Sequence, residues 1–483
     1  MQRSLPRLFV LGVAMEGGFL AMLLARPAPG RTLLFLVAFF SVFALYLLTV
    51  RQALGATCAG GSSERNAGGP RDRPARLVVG LACLFRLSLL AAPPLLSHDL
   101  FRYLWDGRAL LAGGNPYLEP PQRRTSVSPG GPAQLPDGLL ARLEHAEVPT
   151  IYPPAAQALF LAGAALGPGF YGLKALVVVA DLLVILLLRS LLRARGQPPV
   201  RALIYAWNPL AVTETAWSGH LEPVAIVCVL LAAGGIMQKR DGRATVALTA
   251  GALVKVFPLA LFVPLLRSIR APLLLLPPVL LAAACWPFRA AGWRLLAGLR
   301  VYADRWLGNE SLFAIVYAGI AWIDPAPRLK AAIAWVRRSV PHTGALDLLY
   351  GYVYPIDLAK GACGIAILGF GAWMVRRNME PVRGCFLLTC AVLLLSPIAH
   401  PWYFLWVLPW LCLFPSRSWI LLTGLVSLAY VNLGASGRET EPYPWIRVVE
   451  YAPFYALLCA DWVRGRIRAA AGRPPRVAGR GTG

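Results

Sequence analysis

Apolar stretches of about 15–23 residues recur from one end of this 483-residue chain to the other, close to the ~20 that a helix needs to cross a bilayer. A backbone in lipid must satisfy its own hydrogen bonds, so such runs leave helices as the only economical fold. The sequence therefore reads as an all-α polytopic membrane protein. Charged residues make up 14% and hydrophobic residues 57%, against about 25% charge in a soluble domain. The first apolar run, Leu8 to Ala25, is soon followed by a second and lacks a small-residue cleavage site, so it reads as a retained helix.

The formal net charge of +24 does not point to nucleic acid. The basic residues sit in short segments between apolar runs, where the positive-inside bias places them and where they meet anionic lipid headgroups. Nearly all are Arg. The five Lys are 174, 239, 255, 330 and 360, so a Lys inside an apolar run stands out. The nine Cys are scattered without metal-type spacing and read as small core residues.

The apolar pattern predicts helices over 8–25 and 32–50, then a Gly/Ser/Arg-rich cytoplasmic loop over 55–76. A third helix, 77–96, delivers the chain to the longest polar interruption, 97–154. Residues 155–166 are too short to span and read as a helix at the outer interface. Spans follow at 172–192, 201–216 and 224–237, the last two joined by WSGHLEP (217–223). The segment 244–266 has basic flanks on both sides and Lys255 with Pro258 at its middle, so it reads either as a re-entrant pair or as one kinked span. Residues 272–287 lead to an amphipathic outer stretch, 289–313, and an interfacial piece over 314–350. Five further spans, near 353–375, 384–397, 402–414, 418–433 and 449–463, precede the Arg-rich tail. The expected total is about twelve spans with both termini cytoplasmic. Residues 1–76 thus form two extra N-terminal helices and a loop, 77–463 a transmembrane catalytic domain with 97–154 as its outer catalytic loop, and 464–483 a basic tail. No internal repeat of the inverted-transporter kind is evident.

Chemistry-bearing residues gather at the outer ends of these spans. Asp99 and Asp106 are either helix-capping acids, or a general base or metal ligand facing the outer compartment. Lys255 must be paired in lipid, with Glu222 or Glu214, or it binds a phosphate leaving group. His220 and Glu222 lie in one tight turn and His400 in another. Arg305 faces a phosphate or a headgroup, beside Asn309 and Glu310. Trp402, Tyr403 and Trp406 are belt aromatics or sugar-stacking rings.

Six segments carry a resemblance. HDLFRYLWDGRALLAGGNPY (98–117), TIYPPAAQ (150–157), YAWNPLAVTETAWSGHLEP (205–223), ALVKVFPLALFVPLL (252–266), RWLGNESLF (305–313) and LSPIAHPWYFLWVLPWL (395–411), in that order, resemble bacterial membrane glycosyltransferases of the GT-C superfamily. Family 87 and the polyprenyl-phosphomannose-dependent mannosyltransferases look nearest. The catalytic subunit of the eukaryotic GPI mannosyltransferase I is more distant. The resemblance covers roughly residues 77 to 460 and leaves the first two helices outside.

The resemblance implies a polyprenyl-phosphate-sugar donor, an inverting transfer of a hexose such as mannose, and a glycan or glycolipid acceptor on the outer face of a bacterial cytoplasmic membrane. It makes Asp99 the catalytic base and puts Lys255, His400 and Tyr403 at the donor phosphate, where Arg305 is a further candidate on its charge. His98, Arg102, Tyr103, Asp106, Arg108, Asn115, Tyr117, Tyr152, His220, Glu222, Asn309, Glu310 and Trp402 are the substrate-binding candidates. The sequence has His98–Asp99 where relatives commonly carry an acidic pair, and GHLE (219–222) in place of a GHND-like turn. That departure favours a metal-independent mechanism, with no cofactor, over a two-carboxylate metal site. The competing class is a transporter or lipid flippase with Lys255 and Glu222 as a gated pair; a catalytically silent relative is the third reading.

Overall fold

The computed structural model is helical throughout, and its only β feature among the described residues is an isolated bridge between Gly308 and Ile398. It describes residues 5–25, 31–59, 73–123, 138–167, 169–340, 349–432 and 444–470. Most of the 55–76 loop, the middle of the 97–154 loop and the end of the tail lie outside these. The first six long helices are α1 (Leu5–Ala25), α2 (Thr32–Ala59), α3 (Arg73–Leu90), α4 (Asp99–Leu111), α5 (Pro154–Ala165) and α6 (Tyr171–Ala194).

α1 shows how an apolar-all-round helix finds its place. Its buried residues are Leu8, Gly12, Met15, Phe19, Met22 and Ala25, spaced four or three apart along one stripe. Phe19 packs on Phe85 of α3, with ring centroids 5.0 Å apart. Phe9, Val10 and Val13 on other faces stay exposed, as lipid-facing side chains do. The first two helices therefore share one core with the rest of the bundle.

Among the described residues five helices are long and apolar enough to cross a membrane, or six if the pair Pro209–Trp217 and Glu222–Met237, bent by 120°, is one span. The expected span 449–463 lies within one 27-residue helix, Pro444–Ala470, and the other expected spans are shorter or broken. Each break has a local cause. α3 stops at Leu90 instead of running to Leu96 because Pro93 and Pro94 cannot continue it; Lys174 Nζ donates to the freed carbonyls of Leu89 and Ala92, at 3.3 and 2.5 Å. The 201–216 span is interrupted at Asn208, whose Oδ1 caps the Leu210 N–H at 2.9 Å, with Pro209 opening the next turn. The 244–266 segment is not one continuous helix. Asp241–Val254 ends at Lys255, which is extended (φ −141°, ψ 141°), and short turns Phe257–Leu259 and Phe262–Leu265 follow.

Single charges inside apolar helices find each other. Arg86 of α3 pairs with Asp181 of α6, both fully buried, and donates to the Ala206 carbonyl at 2.7 Å. Tyr205 and Thr215 also donate to Asp181. The described Cys side chains are free thiols.

Candidate active site

The site is assembled from four chain breaks. Pro93–Pro94 end α3 and set Asp99 in the first turn of α4, where the Asp99 N–H donates to Ser97 Oγ at 3.2 Å. Gly219, with φ +77°, makes the turn that presents His220; a Cβ there would lie 3.0 Å from Leu100. Lys255 sits at the break after Val254. His400 and Pro401 open the 3-10 helix Pro401–Trp406.

These breaks enclose a polar cavity lined by His98, Asp99, Arg102, Tyr152, Lys255, His400, Trp402 and Tyr403 among the expected residues. Ser97, Glu144, His145, Val148, Ile151, Tyr302 and Trp306 complete the wall and were not among the expected site residues. A second chamber, of about 200 Å³, adjoins it and shares Ile151, Tyr152, Lys255, Tyr302 and Tyr403. Its remaining lining is mostly apolar: Pro153, Val256, Phe257, Leu299, Val392, Leu393, Ile398 and Trp406, with Glu222 and Ser396. The hydroxyls of Tyr302 and Tyr403 bond each other at the seam.

Lys255 Nζ is 2.8 Å from Glu222 Oε1, and Glu222 is fully buried. The ammonium also lies 5.5 Å from the centre of the Tyr152 ring and 5.8 Å from that of Tyr403, within cation–π range. An ammonium has three donors, so the ion pair leaves others directed at the cavity. Trp402 is stacked between two imidazoles, His220 at 4.2 Å and His400 at 4.4 Å.

Asp99 exposes a third of its side chain. Burial alone raises its carboxyl, but the His220 imidazole beside it and the Lys255 charge outweigh burial and hold it down at about 2. It is ionised at neutral pH. Burial pushes His400 down to about 4, so this ring is a neutral donor and acceptor.

Other expected residues form the support under the cavity and do not line it. Tyr103 Oη lies 3.4 Å from Asp99 Oδ2 and the ring stacks on Phe160. Asp106 accepts from Arg102 at 3.0 Å and from Gln157 at 3.2 Å. Arg108 donates to the Gly167 carbonyl at 2.7 Å. Asn115 caps the Tyr117 N–H, and Tyr117 Oη donates to the Tyr152 carbonyl at 2.8 Å. His220 lies behind Asp99. Asn309 donates to the Ala399 carbonyl at 3.3 Å, and Glu310 pairs with Arg447 at 2.6 Å. Arg305 is exposed at the end of helix Ala297–Arg305 and does not reach either chamber; that helix contributes Tyr302 and Leu299 instead. No three His, Cys, Asp or Glu side chains converge on a metal-sized centre among the described residues.

An all-helical membrane chain with an ionised carboxylate and a paired Lys at the junction of a polar and an apolar chamber fits the GT-C class of membrane glycosyltransferases. Residues 13–271 match the alpha-(1->6)-mannopyranosyltransferase N-terminal domain and residues 354–463 match the MptB C-terminal domain, and the chain belongs to that family. The match begins inside α1, so the first two helices, outside the resemblance drawn from sequence, fall within the family's N-terminal domain. No curated protein and no solved structure matches the chain.

Proposed function

We propose that this protein transfers mannose from a polyprenyl-phosphate donor to the primary hydroxyl of a mannoside, on the outer face of a bacterial cytoplasmic membrane. The family's name supplies the sugar and the α-1,6 linkage. The seam carries the lipid-linked donor: Lys255, Tyr302 and Tyr403 lie where the polar cavity of Asp99 meets the apolar chamber. A polyprenyl phosphate needs that order of surfaces, with the tail against apolar side chains, phosphate at a cation and sugar among polar groups.

In this reading Asp99 takes the proton of the acceptor hydroxyl. The acceptor oxygen attacks the anomeric carbon, and the bond from that carbon to the phosphate oxygen breaks with its electron pair going to phosphate. Lys255 and the two tyrosine hydroxyls stabilise the charge that develops there, and the neutral His400 adds an N–H donor. The positive charge comes from the chain itself, which supports a metal-independent reaction. The basic segments at 238–243 and 464–480 support placing the opposite face, and with it Asp99, outside.

The test uses the purified full chain in lipid vesicles with radiolabelled polyprenyl-phosphate mannose and octyl α-mannoside. Label should enter a dimannoside with the octyl acceptor and not with its 6-deoxy analogue. Transfer to the 6-deoxy compound would refute the linkage, and movement of intact donor between leaflets without any product would refute the transferase.

A further inference from the structure

His220 is fully buried, and each of its ring nitrogens faces a carboxylate. Nδ1 is 3.5 Å from Asp99 Oδ2 and Nε2 is 3.4 Å from Glu214 Oε2. Neither nitrogen makes a full hydrogen bond, and separations of this size in an unliganded site commonly tighten when substrate binds. Glu214 is as buried as His220. It sits on a π-helical turn, Thr213–Trp217, an irregularity that often marks functional positions. Tyr430 donates to its other oxygen. Trp402 stacked on the ring prevents the imidazole from turning.

We propose that Glu214 and His220 are positioning residues for Asp99, an imidazolium held between two carboxylates that fixes Asp99 Oδ2 and leaves Oδ1 to the acceptor. The proposal rests on the transferase reading for its catalytic consequence. Its geometry is independent of that reading.

A buried carboxylate is costly unless it is paired. One protonated ring between Asp99 and Glu214 pairs both at once. Oδ2 also receives Tyr103, so the two contacts fix the plane of the carboxylate. When the acceptor O–H breaks, the proton goes to Oδ1, from which the partly exposed side chain can release it to the cavity. The imidazolium keeps both of its protons and Glu214 keeps its charge. The other titratable or charged groups around the cluster are His98, Arg102, Tyr103, Glu144, Tyr152, Glu222, Lys255, His400 and Tyr430. Of these Arg102 and Lys255 are standing cations, committed to Asp106 and Glu222. His220 is thus the cation aimed at Asp99.

Replacing Glu214 removes the charge that holds the imidazolium. Asp99 then loses the nearer of the two cations that hold it down, Lys255 remaining, and its carboxyl protonates at higher pH. Because the folded wild-type group is held low, activity tied to its ionised form is lost only as pH falls through that low value; in Glu214→Gln the loss moves up into the accessible range. The variant should lower kcat for the octyl mannoside by about 10²-fold, leave KM within about twofold, and show an acid limb between about pH 3 and 5 that the wild type lacks. Glu214→Asp should restore most of the pH profile.

A second measurement needs no turnover. A carbodiimide labels protonated carboxyls, and mass spectrometry of the Asp99 peptide across pH 3 to 7 reports its half-point. That half-point should rise by about one unit or more in Glu214→Gln and His220→Gln, and by less in Tyr430→Phe. Unchanged labelling in variants that elute as folded monodisperse protein would overturn the proposal. A labelling shift in the variants, with a wild type that itself transfers no mannose, would leave the positioning pair standing and remove the transferase reading.

Discussion

Lys255 is both a structural partner of Glu222 and the cation proposed for the donor phosphate, and a pair of substitutions separates these roles. Lys255→Met leaves the fully buried Glu222 carboxylate without its cation, 2.8 Å away in the intact protein. Breaking a buried pair from one side costs about 3–5 kcal/mol. Some exposure of Lys255, 16% of its side chain, places this one near the lower end, about 3 kcal/mol. Adding Glu222→Gln replaces the stranded charge by a neutral amide of the same shape and should recover most of that loss. The electrostatic help to the leaving phosphate is not recovered, and removal of one such group lowers turnover by about 10²–10³-fold. The readouts are the midpoint of thermal loss of monodisperse protein in detergent and the initial rate of mannose transfer in vesicles. The single variant should be unstable and inactive, and the double variant stable and still inactive. A double variant that transfers at the wild-type rate would refute the role of Lys255 at the phosphate and leave it a structural partner only.

Arg305→Ala should leave transfer within about twofold, since the exposed guanidinium reaches neither chamber and lone surface charges contribute little; a loss of 10²-fold would return Arg305 to the site. EDTA should not lower the rate of freshly purified protein, and loss of transfer restored by a divalent ion would contradict the metal-independent reaction. Gly219→Ala forces a side chain into left-handed backbone at a cost of about 1–2 kcal/mol, with its Cβ 3.0 Å from Leu100. A lower thermal midpoint and a reduced kcat are both expected, because the same turn carries His220; an unchanged midpoint would show that the turn relaxes freely.

The class of fold was legible because hydropathy and spanning length are local properties of the sequence. The polar core of the site was legible for a related reason: Asp99, Lys255 and His400 are charged or polar groups beside apolar runs, where they are expensive and therefore conspicuous. Arg86 and Asp181 gave the same signal, each alone in an apolar helix, but only the packing of α3 on α6 shows that they neutralise each other. The helix ends were legible wherever proline set them, as at Pro93–Pro94, although the apolar pattern ran past that break to Leu96. The count of about twelve spans took 201–216 as one crossing, although that run breaks at Asn208; the run holding Lys255 stood outside the count, and it breaks where Lys255 sits.

What the sequence did not disclose is direction. Asp106, Arg108 and Asn115 lie within twenty residues of Asp99, yet Asp106 and Arg108 turn into the support beneath the cavity because α4 buries that face against α5, and Asn115, past the end of α4, turns back to cap the Tyr117 N–H. Gly107 shows how close that packing is: a Cβ there would come within 2.2 Å of the Phe160 carbonyl. Tyr302 and Trp306 reach the cavity from the helix whose Arg305 does not. Choosing among them requires the rotation of a helix, and an almost uniformly apolar surface does not encode it. Glu214 was visible only as a possible partner for Lys255. Its pairing with His220 depends on the π turn, which no sequence pattern announces.

The measurement closest to the central claim compares wild type and Asp99→Asn side by side in vesicles, following radiolabelled polyprenyl-phosphate mannose into octyl α-mannoside. The amide keeps the shape of the side chain and cannot take the acceptor's proton. The account predicts a dimannoside from wild type and none above background from the variant, at equal amounts of monodisperse membrane protein. Wild-type turnover by Asp99→Asn would contradict it.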